Sequence, residues 1–507
     1  MLWIALHLPQ LPLQALPWSR AGLESLLPVA VVEQRCLLGA NRAARALGVR
    51  GGQSVATALA LLPSLLVKPR DAAREQAFVA SLALALATLT PTLSLQASGV
   101  LLEVQASLRL FGGLRCLLRQ ARAIARACGA HVRLACAPTA SAAWLLATSG
   151  IVQRHTVQAS TCARRLDRVP VTALDALLPL SARHAELLQA LGVQRLGELR
   201  ALPRAGLQHR LGPALATALD RAYGQAPDPQ PWLTPPERFE VQRELLERAD
   251  DAAVLVAAVQ ALLPALGGWL RLHWHAACVL RLVLGHEQRR APQPDTVLRL
   301  QLSTPSRDMA QLALLWRERL QRHALAAPVY GVSLALEASV PHGGTPGELL
   351  PMAGSHESAH AALLDRLVAR LGPERVLRFE PLADHRPERA QRGVAVGRAP
   401  PSPSPTKPAQ RGARTASLRT APPRPAWLVE PPQPLASDAL GRPLHGGLLR
   451  LCSRAERIEA GWFDNALVRR DYRVAEGSDH RLRWIFREHA SEAAGGAGGW
   501  FLHGWFG

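Results

Sequence analysis

The sequence predicts a multidomain protein in which an α/β body is joined to an α+β domain and to a separate C-terminal module. Three observations predict it. A chain of 507 residues has room for about three to four domains at roughly 150 residues each. Strand-like and helix-like patterns alternate through the first part, whereas Arg238 to Ala338 carries periodic strands (VLRLVLG, TVLRLQL, GVSLALEA) around two long helical patterns. Finally, the composition breaks between Gly393 and Val429, which is rich in Pro, Ser, Ala and Arg and holds no acidic residue. Such a stretch cannot bury enough apolar surface to offset the cost of ordering, which predicts a disordered, cationic linker over 393–429 ahead of a module at 430–507.

Taken in order, residues 1–165 read as α/β. Leu2 to Leu8 alternates as a strand, Ala40 to Val49 and Val55 to Leu62 are short helices, and Gly99 to Val104 is a second strand leading into LRLFGG. Residues 166–230 are all-helical, with short amphipathic runs punctuated by Gly192, Pro203 and Gly212. Within them LGVQRLGELRALP resembles a helix-hairpin-helix element, whose tight glycine turn presents backbone N–H groups to a DNA phosphate; the same run also fits an ordinary αα-hairpin. The segment QAPDPQPWLTPP, with five prolines, ends the helical pattern before the α+β domain at 231–340. There, Ala252 to Leu270 is uncharged over 19 residues, but Gln260, Pro264 and Gly267-Gly268 interrupt it and no second span follows, which predicts a buried core helix rather than a membrane span. Residues 341–392 read as a peptide region with a short helix.

Lys+Arg 59 against Asp+Glu 39 leaves a formal charge of +20, and only Lys68 and Lys407 are lysines. An arginine-dominated excess favours a polyanionic partner, nucleic acid first and an anionic membrane second. Seven cysteines without a C-x-x-C pair signal neither a disulfide framework nor a zinc ribbon. With Pro9 and Pro12 breaking an N-terminus that lacks a basic start, a cytoplasmic protein is expected. His273, His275 and Cys278 in HWHAAC lack a fourth ligand at zinc-type spacing and are read as packing residues. No G-x-x-x-x-G-K-[ST] occurs, and neither a metal nor a cofactor is expected.

The order of pieces resembles Y-family, translesion DNA polymerases. GANRAARALGVRGGQSVATALALLPSLLVKPRD resembles their fingers, GVLLEVQASLRLFGG their second carboxylate-bearing palm strand, and LACAPTASAAWLLA the next strand and helix. The resemblance implies a right hand: palm and fingers at 1–165, a helical thumb at 166–230 and a little finger at 231–340. Polymerases of this kind hold two metal ions between palm carboxylates. Where the resemblance places the first aspartate this chain has His7, and where it places the Asp-Glu pair it has Ser98-Gly99. Glu24, Glu33, Asp71, Glu75 and Glu103 are the only acids in the first 120 residues, too scattered for a dimetal cage. Arg42 stands where a tyrosine is usual, Arg45 matches the family arginine, and Ala140 and Trp144 replace lysines that meet the triphosphate.

The C-terminus resembles the ImuB-type family more specifically. LHGGLLRLCSRAERIEAGWFDNALVRRDYRVAEGSDHRLRWIFREH, the closing WFLHGWFG and ADHRPERA at 383–390 follow that family's order, although Ala455 replaces a usual proline and Trp462-Phe463 a Trp pair. The resemblance implies a catalytically inactive scaffold. Its implied partners are DNA, the sliding clamp, a RecA-like accessory protein and an error-prone C-family polymerase. An active but divergent translesion polymerase, and a structural DNA-binding protein without a polymerase partner, are the alternative readings.

Site expectations follow. DNA contacts are assigned to Arg42, Arg45, Gly192, Arg195, Arg204 and Arg210. A clamp-binding peptide needs spaced apolar residues in an exposed, extended segment. The loop Glu348-Leu349-Leu350 is the first candidate; Gln311, Leu312, Leu314 and Leu315 form the second, inside a helical pattern that also reads as core. Partner contacts are assigned to Trp462, Arg470, Asp471, Tyr472, Trp500, Phe501, His503, Trp505 and Phe506. Most of these rings also suit the core of a small module, and the terminal WFLHGWFG is the segment favoured as interface.

Overall fold

Four of the five residues of WIALH are buried, so β1 (Trp3–His7) is a strand covered on both faces. The computed structural model describes residues 1–17, 27–151, 154–286, 294–342, 354–396, 424–464, 466–489 and 498–506. These group into two units, Met1–Arg370 and Leu371–Gly507.

In the first unit β1 leads to α1 (Leu11–Gln14) and then to β2 (Val29–Glu33) and β3 (Cys36–Ala40). Asn41 opens α2 (Arg42–Ala46) by accepting from the Ala44 N–H, and Ser54 opens α3 (Val55–Leu61) by accepting from Thr57. β4 (Leu66–Pro69) pairs parallel with β2, completing a small sheet the sequence pattern did not signal. Then come α4 (Ala72–Leu86), β5 (Leu93–Gln96), β6 (Gly99–Glu103), α5 (Leu114–Ala127), β7 (Arg133–Ala137) and α6 (Ala140–Thr148). The antiparallel sheet runs β5-β6-β1-β7. Ile4 and Leu6 pack toward α4 and α5, while Trp3 and Ala5 pack toward α6, as strand alternation requires.

α7 (Ala159–Leu166) precedes the helical stretch expected at 166–230, which holds α8 (Ala182–Ala190), α9 (Leu196–Ala201), α10 (Arg204–Leu211) and α11 (Pro213–Tyr223). Its leucines share one core with α6.

The α+β part follows as β8 (Glu240–Ala249), α12 (Ala252–Leu272), β9 (His275–His286), β10 (Thr296–Ser306), α13 (Met309–Arg322) and β11 (Val329–Pro341), with sheet order β10-β9-β11-β8. α12 is long and apolar enough to cross a membrane by length and composition. Here it is a core helix: Leu255, Leu262, Leu266 and Trp269 are buried with the sheet leucines. Gly268 is where it meets α4, because a Cβ there would lie 1.6 Å from the Leu84 carbonyl oxygen, while Gly267 faces Met309. α14 (Gly354–Leu371) closes the unit at 18 residues, longer than the short helix expected.

The second unit begins with a hairpin of β12 (Leu377–Pro381) and β13 (Gln391–Ala395). After it come β14 (Trp427–Ser437), β15 (Pro443–Leu444), β16 (Arg450–Leu451), β17 (Glu456–Ala460), β18 (Val468–Glu476), β19 (Leu482–Glu488) and β20 (Trp500–Trp505). These seven form an antiparallel sheet ordered β15-β14-β20-β19-β18-β16, with β17 also on β18. The linker expected at 393–429 lies outside the described residues over 397–423, and its two ends are strands, β13 and β14, of this same unit. The unit boundary at 370/371 therefore falls inside the 341–392 segment, and the ADHRPERA stretch belongs with the C-terminal sheet.

Candidate functional site

Three strands bring one row of residues together at the end of the first sheet: His7 on β1 pairs with Gly99 on β6 and with Arg133 on β7. His7 Nδ1 is 3.1 Å from Ser98 Oγ, and Trp144 of α6 stands edge-on to the imidazole at a centroid distance of 5.6 Å. Burial, reinforced by the Arg133 guanidinium, lowers the His7 imidazole to about 4 against a hydrogen bond to Ser98 that raises it, so the ring is neutral at pH 7. Gly99 has no room for a side chain, since a Cβ there would lie 2.0 Å from the Leu6 carbonyl oxygen. Glu103 pairs with Trp3 at the opposite end of the strands, about 13 Å along, and its carboxylate accepts from the Gln105 N–H at 3.0 Å.

A pair of divalent cations needs several oxygen donors and negative charge. A neutral imidazole, a hydroxyl, a bare glycine and an arginine do not fit that requirement. Among the described residues no group of three or more His, Cys, Asp or Glu is placed to hold a metal ion. In HWHAAC the His273 ring lies 4.2 Å from the Trp269 ring, the His275 Nδ1 is 2.6 Å from the His273 carbonyl oxygen, and Trp274 between them is largely exposed. The N-terminus of α6, beside the Ala140 and Trp144 positions, already holds an anion. Asp228 accepts from the Ser141 N–H at 2.7 Å and from the Ser141 hydroxyl at 3.0 Å, the charge that a helix N-terminus favours.

The expected DNA contacts lie on two separate sets of elements, α2 and the helices α8 to α10 with their turns. Arg42 and Arg45 are exposed on α2, and with the Gln10 amide turned about, its oxygen accepts from both terminal nitrogens of Arg45 at 3.1 and 3.3 Å. The α8–α9 turn corrects one expectation. Gly192 does take the left-handed backbone, φ +69°, yet no N–H from 192 to 197 is offered outward. Gly192 donates to Gln189 O, Val193 to Leu188 O, Leu196 to Val169 O and Gly197 to Asp167 O, while Gln194 and Arg195 both donate to Glu198. This is a capped αα-hairpin whose donors are all satisfied internally. Arg195 and Arg210 remain exposed, whereas Arg204 is held by Asp220 through a two-point pair, one arm at 2.8 Å.

The two clamp-peptide candidates separate. Leu312 and Leu315 on α13 are fully buried in the α+β core, Leu314 is half-buried, and Gln311 accepts from the Ser306 hydroxyl at 2.9 Å. A helix with its apolar face in a core cannot extend into a groove, so this candidate is overturned. Glu348, Leu349 and Leu350 lie outside the described residues.

In the second unit, the WFLHGW of this closing run is not a free interface segment but β20, an interior strand hydrogen-bonded to β14 and β19. Trp500 and His503 are buried, and Phe501, Trp505 and Phe506 pack against the two sheet cores. Arg470, Asp471 and Tyr472 are likewise engaged. Arg470 donates to both Glu388 oxygens at 2.9 and 3.1 Å and to the Tyr472 hydroxyl at 3.2 Å; that hydroxyl is 2.8 Å from His503 Nδ1. Burial pushes Tyr472 up to about 12 and His503 down to about 4. Asp471 is held well below the usual carboxylate range by Arg457, with His489 also donating. Of the expected partner residues, Trp462 is the one left open: it and Phe463 are each 69% exposed and stand edge-to-face, 6.0 Å apart.

Sequence reasoning missed the residue that fixes this loop. Arg386, almost fully buried, donates to Asp384 at 2.7 Å and to both oxygens of Asp464 at 3.0 and 2.7 Å, and lies 5.7 Å over the Phe463 ring. The run ADHRPERA marked the place; its partner Asp464, 78 residues further along the chain, was not legible. Arg133 and Asp228 were missed for the same reason, since strand register brings Arg133 to the row and chain return brings Asp228 to the α6 N-terminus.

Comparison with known proteins gives the following likenesses. The impB/mucB/samB family pattern matches residues 19–148. Protein ImuB of Caulobacter vibrioides strain NA1000 / CB15N is 28% identical over 495 residues, covering 91% of this chain and 100% of that protein, and Protein ImuB of strain ATCC 19089 / CIP 103742 / CB 15 matches equally. Among solved structures, a Dbh ternary complex covers 67% of this chain and 99% of its own at 17% identity and a TM-score of 0.37. DinB from Sulfolobus solfataricus covers 68% and 100% at 16% identity and 0.36.

Proposed function

Because the chain is an ImuB-type, Y-family polymerase-like protein, we propose that it works in translesion synthesis and damage-induced mutagenesis by binding rather than by nucleotide transfer. In this reading it is a catalytically inactive scaffold that lies on DNA and brings an error-prone C-family polymerase, with the sliding clamp and a RecA-like accessory protein, to a damaged template. The observation that carries the reading is the Gly99–His7–Arg133 row. Where a dimetal site needs carboxylates, this row offers no side chain, a neutral ring and a guanidinium. Asp228 on the α6 N-terminus further opposes a triphosphate there. DNA contact rests on exposed cations such as Arg42, Arg45, Arg195 and Arg210, which are suited to phosphate rather than to base recognition. Recruitment rests on Trp462 and Phe463, exposed aromatics of the kind that anchor protein interfaces. Clamp contact rests on Leu349 and Leu350.

The test is primer extension on plain and lesion-bearing templates with magnesium or manganese. The scaffold reading expects no synthesis by the protein alone and bypass when clamp, accessory protein and C-family polymerase are added. Synthesis by the protein alone, abolished by Glu103→Gln, would make it a divergent polymerase instead.

A further inference from the structure

From Val104 to Leu166 the chain carries nine arginines and no acidic residue. Four of them lie on α5, and two more, Arg133 and Arg154, lie at the edge of the sheet on β7 and alongside it. On α5 the residues Leu117, Ala121 and Ala125 face the core, while Arg115, Arg119, Arg122 and Arg126 recur at intervals of four, three and four and are all exposed. They form a single row about 16 Å long on the solvent face. At the neighbouring sheet edge, the 154–156 segment adds alongside β7, with Cys136 donating to the Arg154 carbonyl and Thr156 to the Cys136 carbonyl. This brings Arg154 within electrostatic reach of both Arg122 and Arg133. Burial lowers the Arg154 guanidinium, and Arg133 and Arg122 lower it further; His155 is lowered first by burial and then by Arg154, Arg122 and Arg165.

Elsewhere in this unit Arg70, Arg74, Arg200 and Arg204 each meet a carboxylate. Among the described residues no ion pair forms at Arg115, Arg119, Arg122, Arg126, Arg133 or Arg154, and the Arg154 Nε is buried without a hydrogen-bond partner. Holding this many like charges together without an acid is unfavourable unless a polyanion arrives.

We propose that the α5 row, continued through Arg154 to Arg133, is a binding track for the sugar-phosphate backbone of one single-stranded DNA segment. One row of guanidinium groups suits one backbone, since a duplex lying on a surface presents two backbones separated by a groove roughly 6 or 12 Å wide. The row carries no aromatic residue, so it grips phosphates without stacking bases and is indifferent to sequence. Arg133 pairs with His7 across the strands, so the track runs up to the His7 row. The inference stands on this surface alone and does not require the chain to be inactive.

The test uses the full-length protein, a fluorescently labelled oligo(dT) of about thirty nucleotides and a primer–template duplex, titrated across a salt series. Removing one phosphate-binding cation from a single-strand site lowers the slope of log K against log salt by about 0.7. Arg119→Gln/Arg122→Gln/Arg126→Gln is therefore expected to lower the oligo(dT) slope by about 2 and its affinity at least tenfold at low salt. The triple lysine variant is expected to retain most binding. An unchanged oligo(dT) slope overturns the track whether or not the primer–template still binds. A triple variant that binds a polyglutamate peptide less tightly but oligo(dT) as before also overturns it, in favour of an acidic protein segment. Phenylglyoxal modification of the wild-type protein, read by mass spectrometry, needs no variant to fold. Oligo(dT) is expected to protect Arg119, Arg122 and Arg126, and full reactivity in its presence overturns the proposal.

Discussion

His7 and Gly99 face each other across β1 and β6, and the backbone at Leu6 closes on Gly99 so tightly that a Cβ there would sit 2.0 Å from its carbonyl oxygen. A carboxylate cannot be restored at residue 99 without moving the strand. Gly99→Asp is expected to destabilise the first unit by about 2 kcal/mol or more, the cost of overpacking a filled site, seen as a lower melting temperature. His7→Asp/Ser98→Asp leaves that contact alone, and primer extension with magnesium is expected to stay absent from it. Extension by this double variant would mean that two carboxylates suffice and that the row is one step from activity.

The same histidine predicts an acid dependence. Its folded value of about 4 lies below the ordinary 6.5, so between those pH values the unfolded chain binds a proton that the folded chain refuses. The stability this contributes is present above pH 6.5 and is lost as pH falls toward 4. The full difference corresponds to on the order of 3 kcal/mol. Urea unfolding of the wild type and of His7→Gln at pH 7 and pH 5 checks it. The variant is expected to lose less stability over that interval, and equal losses would place the titration elsewhere.

These two residues also mark what the sequence could and could not convey. WIALH and GVLLE were legible as strands, and 40–49 and 55–62 as short helices, because period is local; the caps at Asn41 and Ser54 that start those helices were not read. Which residue stands beside His7 was not legible, because Arg133 arrives through strand register. The α8–α9 turn was half legible. Glu198, three residues after Arg195, is a local capping signal, but the Val169 and Asp167 carbonyls that take the remaining N–H groups come from a distant turn. In the C-terminal module the aromatics were visible and their roles exchanged. A ring in a small module serves core or surface equally well, and only strand order puts β20 in the interior and Trp462 outside.

The clamp candidates are separated by stability. Leu312→Ala and Leu315→Ala remove fully buried side chains and are each expected to cost about 2–5 kcal/mol, lowering the melting temperature along with every activity. Leu349→Ala/Leu350→Ala is expected to leave melting unchanged and to remove clamp binding, measured by surface plasmon resonance. Normal clamp binding by the latter variant would exclude the loop.

The hairpin of β12 and β13 is tied to the C-terminal sheet through charge. Asp464 receives both Arg386 and Arg389, and Glu388 receives Arg470. Asp464→Asn removes the acceptor charge that two arginines share, so amides from Leu377 to Ala395 are expected to exchange with deuterium faster than in the wild type, while those of β19 and β20 keep their protection. Unchanged exchange in the hairpin would show that Arg470 and Glu388 hold it unaided.

Trp462 and Phe463 provide the sharpest division between folding and recruitment. Both rings are mostly in water, so truncating them removes little buried area, whereas Trp484 and Phe486 lie inside the sheet stacked around Tyr472. Trp462→Ala/Phe463→Ala is expected to shift the melting temperature by no more than a degree or two, in keeping with surface substitutions. If these rings anchor a partner, the same change weakens binding of the C-family polymerase at least tenfold, as truncation of an interface anchor does. Trp484→Ala, by contrast, is expected to unfold the module and abolish binding and protease resistance together. Isothermal titration of the polymerase against both variants, with thermal melts alongside, checks the pair. Undiminished polymerase affinity in the well-folded double variant would move the recruitment surface away from this loop.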